Sequence, residues 1–379
     1  MPILPSLPPS VYTAFIVSFL VTLLLVLTKR WHGRYSMDGV QGIQKQHKVP
    51  TPRIGGVAIV LGVLGGWLVA QPERRAILGP LLVAGLPAFA FGLAEDLTKK
   101  VSVMARLLAT MASGVLGWWL TGMSLTSLDV AGVDVLMGIT LVSVAFTAFA
   151  VGGVANAINI IDGFNGLASG FVVLALVGLA AMAMSSQDPN LAIACLGTAG
   201  AMLGFWLVNW PWGKIFLGDG GSYFGGFALA WGCIMVVERN PEITPFAALL
   251  LCIHPVTEVL FSIYRRRLRQ YNPGQPDRLH LHSLMMRRVV RPLLMRCTND
   301  RDHALRMENA WTGLLLACMT LPAAAVAYAV RSQPLWAALM CVVFMLAYVT
   351  VYARLVRHHW CSPLQFLFVK PAQRLQSLA

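Results

Sequence analysis

Eleven times along its 379 residues this chain runs through a predominantly apolar stretch long enough to cross a lipid bilayer as a helix. A helix rising 1.5 Å per residue needs about 20 residues to cross a hydrocarbon core of ~30 Å. The stretches run roughly over 10–28, 54–70, 76–94, 101–120, 135–153, 166–184, 190–208, 221–237, 243–264, 311–330 and 334–357. Several are rich in Gly and Ala, as expected where helices pack closely in lipid. Hydrophobic residues make up 57% of the chain before its 34 glycines are counted, and charged residues only 12%. An ordinary soluble protein carries about 25% charged residues, so disorder, a disulfide scaffold and a cytosolic enzyme are all excluded. The expected fold is all-α, a polytopic membrane helix bundle forming a single domain over 1–379.

The formal charge of +13 raises the question of nucleic acid, and the placement of the basic residues answers it. Alternate connections, with their flanking span ends and the C-terminal tail, hold 25 of the 29 Lys and Arg residues. The opposite side holds Arg74, Arg75, Arg239 and Arg331. Positive-inside logic puts the rich side in the cytoplasm, the N-terminus outside and the C-terminus inside. The first span, followed at once by Lys29 and Arg30, reads as an N-out signal anchor. The basic excess is mainly a topology signal, with a share for anionic substrates and membrane lipid headgroups, and no nucleic-acid partner is expected. The seven cysteines form no CxxC pair and read as small packing residues.

Polar groups concentrate in five segments on the basic side. The first runs His47-Lys48-Val49-Pro50-Thr51-Pro52-Arg53-Ile54-Gly55-Gly56. Its two prolines keep the chain extended, so Lys48 and Arg53 serve either as a pyrophosphate site or as a basic flank. The third span ends at Glu95-Asp96. Adjacent carboxylates at a membrane boundary are costly to desolvate; solvation at a helix end or a shared divalent cation relieves that cost. Asn156, Asn159 and Asp162 recur at every third position and so line one face of a helix end. They suit a sugar, nucleotide or metal, or polar glue between helices.

In Gly218-Asp219-Gly220-Gly221-Ser222, glycines expose backbone N–H groups where the eighth span opens, which favours anions. Asp219 either caps that helix or holds a metal. The long connection 265–309 carries Arg265-Arg266-Arg267 and then Pro276-Asp277-Arg278-Leu279-His280-Leu281-His282. It has no Cys or third His at zinc spacing, so hydrogen bonding to phosphate or nucleotide is the better use of His280 and His282. His254 and Glu258, one helical turn apart in the ninth span, pair with each other or support the site from behind. The terminal part 311–379, two spans and a tail with His358 and His359, offers no usable motif.

Together KVPTPRIGG (48–56), AEDLTKK (94–100), NAINIIDGFNGLASG (156–170), FLGDGGS (216–222) and PDRLHLH (276–282) resemble the polyprenyl-phosphate N-acetylhexosamine-1-phosphate transferase family. The motifs occur in family order, all on the expected cytoplasmic face, in a core spanning about 29–300. The His-x-His form resembles the GlcNAc-type branch more than the MurNAc-pentapeptide branch. Two departures stand out: Glu95 replaces the first aspartate of the family's acidic pair, and Asn165 replaces the second aspartate of DGxDG.

The resemblance implies an enzyme of the bacterial cytoplasmic (inner) membrane with its active site facing the cytoplasm. It would transfer sugar-1-phosphate from a UDP-N-acetylhexosamine to undecaprenyl phosphate, release UMP, and so initiate a surface polysaccharide such as O-antigen of lipopolysaccharide or another cell-wall polymer. It implies Mg²⁺, or Mn²⁺ in its place, held by Asp219, Asp96 and Asp162, and catalytic roles for Glu95, Asp96 and Asp162. Substrate contacts would fall to Lys48, Thr51, Arg53, Asn156, Asn159, Asn165, His280 and His282. A homodimer is compatible with it. The alternatives are a transporter of an anionic sugar or nucleotide and a family member that has lost activity.

Overall fold

A computed structural model describes residues 7–38, 50–268, 279–297 and 300–357. Lys48, Asp277, His358 and His359 lie outside the described residues. The chain begins with α1 (Pro9–Leu27) and the short α2 (Lys29–Ser36), then α3 (Gly55–Val69), α4 (Pro72–Thr98) and α5 (Val103–Thr121). A single-turn α6 (Val133–Met137) precedes α7 (Thr140–Ile161), α8 (Leu167–Ser185), α9 (Pro189–Asn209), α10 (Gly218–Arg239) and α11 (Pro245–Leu268). The remainder is α12 (Leu281–Met285), a π-turn (Met286–Val290), α13 (Arg291–Cys297), α14 (Arg301–Cys318), α15 (Thr320–Ala329) and α16 (Pro334–Arg357).

Ten helical segments are long and apolar enough to cross a membrane among the described residues, as the polytopic helical expectation requires. Three expected spans differ in detail. The span expected over 54–70 is α3, only 15 residues long, or about 22 Å at 1.5 Å per residue. Its start is set by tertiary bonding: Gly55 and Gly56 donate their N–H groups to the Phe216 and Leu217 carbonyls, each at 3.0 Å. The span expected over 135–153 is α7, which reaches Ile161 because Asn156 and Asn159 find partners on neighbouring helices and stay helical. The span expected over 311–330 is divided between α14 and α15. Pro322 has no N–H to give the Cys318 carbonyl four residues back, and the helix is interrupted at Met319.

Helix α10 is the axis of the bundle: its side is packed by α3, α4, α7, α8 and α11, and nearly its whole length is buried. Close approach depends on small residues. A methyl group at Gly92 of α4 would lie 2.6 Å from the Asp219 carbonyl carbon and the Gly220 nitrogen, so only glycine lets α4 touch the backbone of α10. A two-residue antiparallel ribbon, β1 (Met37–Asp38) with β2 (Thr51–Pro52), lies at the same end. The Phe216 N–H donates to the Pro52 carbonyl at 2.8 Å, and the Arg53 N–H to the Ser36 carbonyl at 2.9 Å. The segment carrying Arg53 is therefore threaded between the end of α2 and the turn that opens α10.

Candidate active site

The polar centre forms where α10 begins. Gly218 adopts φ +76°, a conformation L side chains rarely take, and a methyl group there would stand 2.5 Å from the Asp96 carboxylate. This turn aims the first N–H groups of α10 at α4. Asp96, 1% exposed, accepts from the Asp219 N–H and the Gly220 N–H at 2.9 Å each. A carboxylate from another helix thus caps α10 and meets the positive end of its dipole. The Arg53 Nε lies 3.2 Å from the same carboxylate.

Asp219, 2% exposed, projects from the first turn of α10 and is ringed by donors. Arg53 binds one of its oxygens and Arg106, from the first turn of α5, the other. Asn159 donates to Asp219 at 3.1 Å and to the Ser222 hydroxyl at 2.8 Å, while the Tyr223 hydroxyl lies 3.4 Å from the Asn159 carbonyl oxygen. Asp38, Lys99 and Asp162 complete the electrostatic neighbourhood. Burial opposes the charge of Arg53, but Asp219, Asp96, Asp38 and Asp162 together outweigh it and raise its pKa. Burial and the nearby Arg53 lower the pKa of Lys99, against the pull of Asp96, Asp38 and Asp219.

Asp162 is the exception in this ring. Its loop is pinned on both sides: the Asn165 N–H donates to the Asn309 side chain at 2.7 Å and the Gly166 N–H to the Asn209 side chain at 2.6 Å. Yet among the described residues its half-buried carboxylate has no hydrogen-bond or ion-pair partner. Burial first, then the charges of Asp219 and Asp96, push its pKa up to about 7 despite the counteracting Arg53.

The expected residues therefore divide. Arg53, Asp96, Asn159, Asp162 and Asp219 come together. Glu95, on the next face of α4, accepts from the Val101 N–H at 2.8 Å and lies within electrostatic range of Arg106. Asn156 donates to the Thr110 hydroxyl at 3.1 Å and the Gly152 carbonyl at 2.8 Å, so its amide N–H group bridges α7 and α5. Asn165 donates its side-chain N–H to the Pro211 carbonyl at 3.3 Å and turns toward α9 and α14. Thr51 is buried in the ribbon opposite Asp38.

His282 packs edge-on against Phe164, centroids 5.2 Å apart, and its Nε2 faces Gly163, which brings it to the Asp162 loop. His280 stacks on His282 at 5.2 Å. Glu258 is bonded to His280 and not to His254, whose Nδ1 is buried without a hydrogen-bond partner. Sequence reasoning missed Arg106, Lys99 and Asp38. Arg106 carried a signal, being the one charged residue inside its own apolar span, 101–120.

Among the described residues no three His, Cys, Asp or Glu side chains stand together in a way that would hold a metal ion unaided. Mg²⁺, however, is usually held by one or two carboxylates together with water and substrate phosphates. The donor chemistry suits that smaller set, because Asp162 is an acid beside acids with its oxygens uncommitted. Asp96 suits it less than Asp219: its oxygens are held by backbone N–H groups of α10, which cannot move aside, whereas those of Asp219 are met by the side chains of Arg53 and Arg106.

Residues 78–237 match the family described as glycosyl transferase family 4. The chain is 28% identical over 284 residues to a probable undecaprenyl-phosphate N-acetylglucosaminyl 1-phosphate transferase of Bacillus subtilis, covering 73% of this chain and 77% of the relative. It is 28% identical over 249 residues to the undecaprenyl-phosphate alpha-N-acetylglucosaminyl 1-phosphate transferase of Yersinia pestis, covering 64% and 68%. A decaprenyl-phosphate N-acetylglucosaminephosphotransferase of Mycolicibacterium smegmatis is 25% identical over 305 residues, covering 71% of each. The segment that carries Asp96, Arg106, Asn159, Asp162 and Asp219 is thus the one similar to glycosyl transferase family 4, a likeness in line with the five motifs.

Proposed function

We propose that this protein transfers N-acetylhexosamine-1-phosphate from a UDP-sugar to undecaprenyl phosphate at the cytoplasmic face of a bacterial inner membrane. The observation that carries the reading is the convergence of Asp219, Asp162, Arg53 and Arg106 from four parts of the chain at one end of the bundle. An amphipathic acceptor explains that location: its tail stays in lipid while its phosphate meets a soluble donor at the helix ends.

In the reaction an oxygen of the lipid phosphate attacks the β-phosphorus of the UDP-sugar. A new P–O bond forms, the bond from that phosphorus to the bridging oxygen breaks, and UMP leaves with the bridging oxygen. Such transfer depends on positioning and charge neutralisation more than on covalent help. The acceptor, a phosphate monoester with a second pKa near ~6, is largely dianionic at neutral pH, so no strong general base is demanded. Arg53 and Arg106, oriented by Asp219, supply positive charge to the diphosphate, joined by Lys99 and Lys48, while His280 and His282 hydrogen-bond to phosphate oxygens. Asn159 keeps Asp219 in register with α7. Mg²⁺, with Mn²⁺ as a substitute, would be held by Asp219 and Asp162 and would offset the charge of the phosphates and of the departing UMP.

The transporter alternative is not favoured, since among the described residues Asp96, Asp162, Asp219, Arg53 and Arg106 gather at helix ends and not midway along broken helices. The test is turnover by the purified protein in detergent, with undecaprenyl phosphate and UDP-GlcNAc, UDP-GalNAc or UDP-linked deoxy-N-acetyl sugars, with and without Mg²⁺. UMP release matched by lipid-diphospho-sugar is the expected result. Counterflow of a nucleotide sugar in proteoliposomes without UMP would overturn the reading.

A further inference from the structure

Beyond the segment that matches the family, α16 reaches back into the site. The Tyr348 hydroxyl donates to the Glu258 Oε2 at 2.6 Å, and the Leu281 N–H donates to the same oxygen at 3.2 Å. The other oxygen, Oε1, lies 2.9 Å from the His280 Nδ1. One turn further along α16, the Tyr352 hydroxyl donates to the Leu279 carbonyl at 3.0 Å. Arg265 of α11 donates to that carbonyl at 2.9 Å and to the Tyr352 oxygen at 2.6 Å. Glu258, Arg265, His280, Tyr348 and Tyr352 are all buried. A buried polar network of this kind, satisfied throughout, fixes one geometry and penalises every other.

We infer that Glu258 is a positioning residue for the transfer reaction, and that Tyr348 of the last helix holds Glu258 in place for that task. The inference rests on the function proposed above. With two other donors already on its oxygens, the Glu258 carboxylate is the acceptor and the His280 Nδ1 carries the proton. This fixes the tautomer and the plane of the His280 ring. The ring stacks on His282, and His282 lies against Phe164 with its Nε2 facing Gly163, next to Asp162. The network thereby transmits the geometry of α11 and α16 to the loop that presents Asp162, which links the last span to the chemistry.

The experiment compares Glu258→Gln, Glu258→Asp, Tyr348→Phe and the double variant Glu258→Gln/Tyr348→Phe in the full-length chain, using kcat, KM for the UDP-sugar and imidazole ¹⁵N spectra of histidine-labelled protein. Glu258→Gln should lower kcat about 10- to 100-fold, the size expected when a charge-assisted hydrogen bond to an acting group is lost. KM should change by less than about twofold, because the interaction lost serves the transition state. Glu258→Asp should recover part of kcat. Tyr348→Phe, which keeps the ring volume if the glutamine variant folds poorly, should lower kcat about threefold, less than loss of the charged acceptor. The double variant should be no worse than Glu258→Gln alone. In the spectra, His280, assigned by its loss in His280→Gln, should show an Nδ1–H in the wild type and lose it in Glu258→Gln.

Wild-type kcat in a folded Glu258→Gln protein, or an unchanged His280 tautomer, would overturn the inference. A wild type without transferase turnover would instead overturn the proposed function, and the spectra alone would then decide whether Glu258 sets the tautomer.

Discussion

Asp219 and Glu258 are both nearly fully buried carboxylates at the same end of the bundle, yet their surroundings are opposite in kind. Glu258 is closed: a histidine, a tyrosine and a backbone N–H take up its oxygens, and every one of those donors is itself buried. Asp219 is open: two of its donors are arginines that reach it from partly exposed positions, and Asp162 beside it has no partner among the described residues. A closed network holds geometry, because any rearrangement leaves a buried group unsatisfied. An open cluster with surplus acid and movable cations is arranged to exchange partners, which is what an incoming diphosphate and cation require. On the proposed function, the difference separates the residues that act on the substrate from those that hold them in place.

The comparison breaks first if the two acids are equally important. Asp219→Asn keeps the shape but removes the charge that orients Arg53 and Arg106. Turnover should fall about 10³-fold or more, beyond the 10²–10³ typical for losing one transition-state donor, while the thermal unfolding midpoint in detergent holds. Glu258→Gln should lose at least tenfold less than that. Equal losses would mean that the closed and open networks are one unit.

The next effect concerns Asp162 and its pKa of about 7. If Asp162 holds the cation as proposed, a proton and the cation would compete for this carboxylate, and the half-saturating Mg²⁺ concentration should rise as pH falls below 7, by up to about tenfold per unit for a single linked proton. Asp162→Asn should be far less active and have no such slope. Stability offers a readout without substrate. The folded pKa lies above the value of 3.8 for an ordinary aspartate, so the wild type loses stability as pH rises from about 4 to 7. In EDTA, Asp162→Asn should therefore unfold at a higher temperature than wild type at pH 8, and at the same temperature at pH 4. A constant difference across that range would remove Asp162 from the buried acid cluster.

A smaller effect tests the openness of the ring. Arg106 meets Asp219 with one guanidinium nitrogen. Arg106→Gln should cost about 10- to 100-fold in kcat/KM through loss of a charged hydrogen bond, and Arg106→Lys should restore part of it, since a point charge replaces a planar fork. Full activity in Arg106→Gln would show that this cation serves only to neutralise Asp219.

The spans were legible because each needs only local apolar length, and the acids were legible because carboxylates at a membrane boundary demand an explanation. What each acid does was not. Asp96 caps a helix that starts more than 120 residues later, and no local spacing encodes that bond. The same applies to Glu258, which has His254 one turn away in sequence but takes its partner from within the long connection. Tyr348 and Tyr352 are one turn apart on one face of an apolar span, a visible pair of hydroxyls whose acceptors only the packing reveals. Arg106 was visible as a lone charge in a span, and its partner was not.

Asn156 sets the lower end of the scale, because there sequence and structure point to different outcomes. The motif places it beside Asn159 as a substrate contact, whereas its amide N–H group is engaged by Thr110 and Gly152 between α5 and α7. If that bridge is its role, Asn156→Ala should cost about 0.6 kcal/mol of stability, the average for such interhelical bonds in membranes, and leave KM for the UDP-sugar unchanged. Asn159→Ala, which removes a donor from Asp219 itself, should lower kcat by about tenfold through loss of a hydrogen bond to a charged group. A rise in KM in Asn156→Ala with unchanged stability would return that residue to the substrate and extend the open cluster one turn up α7.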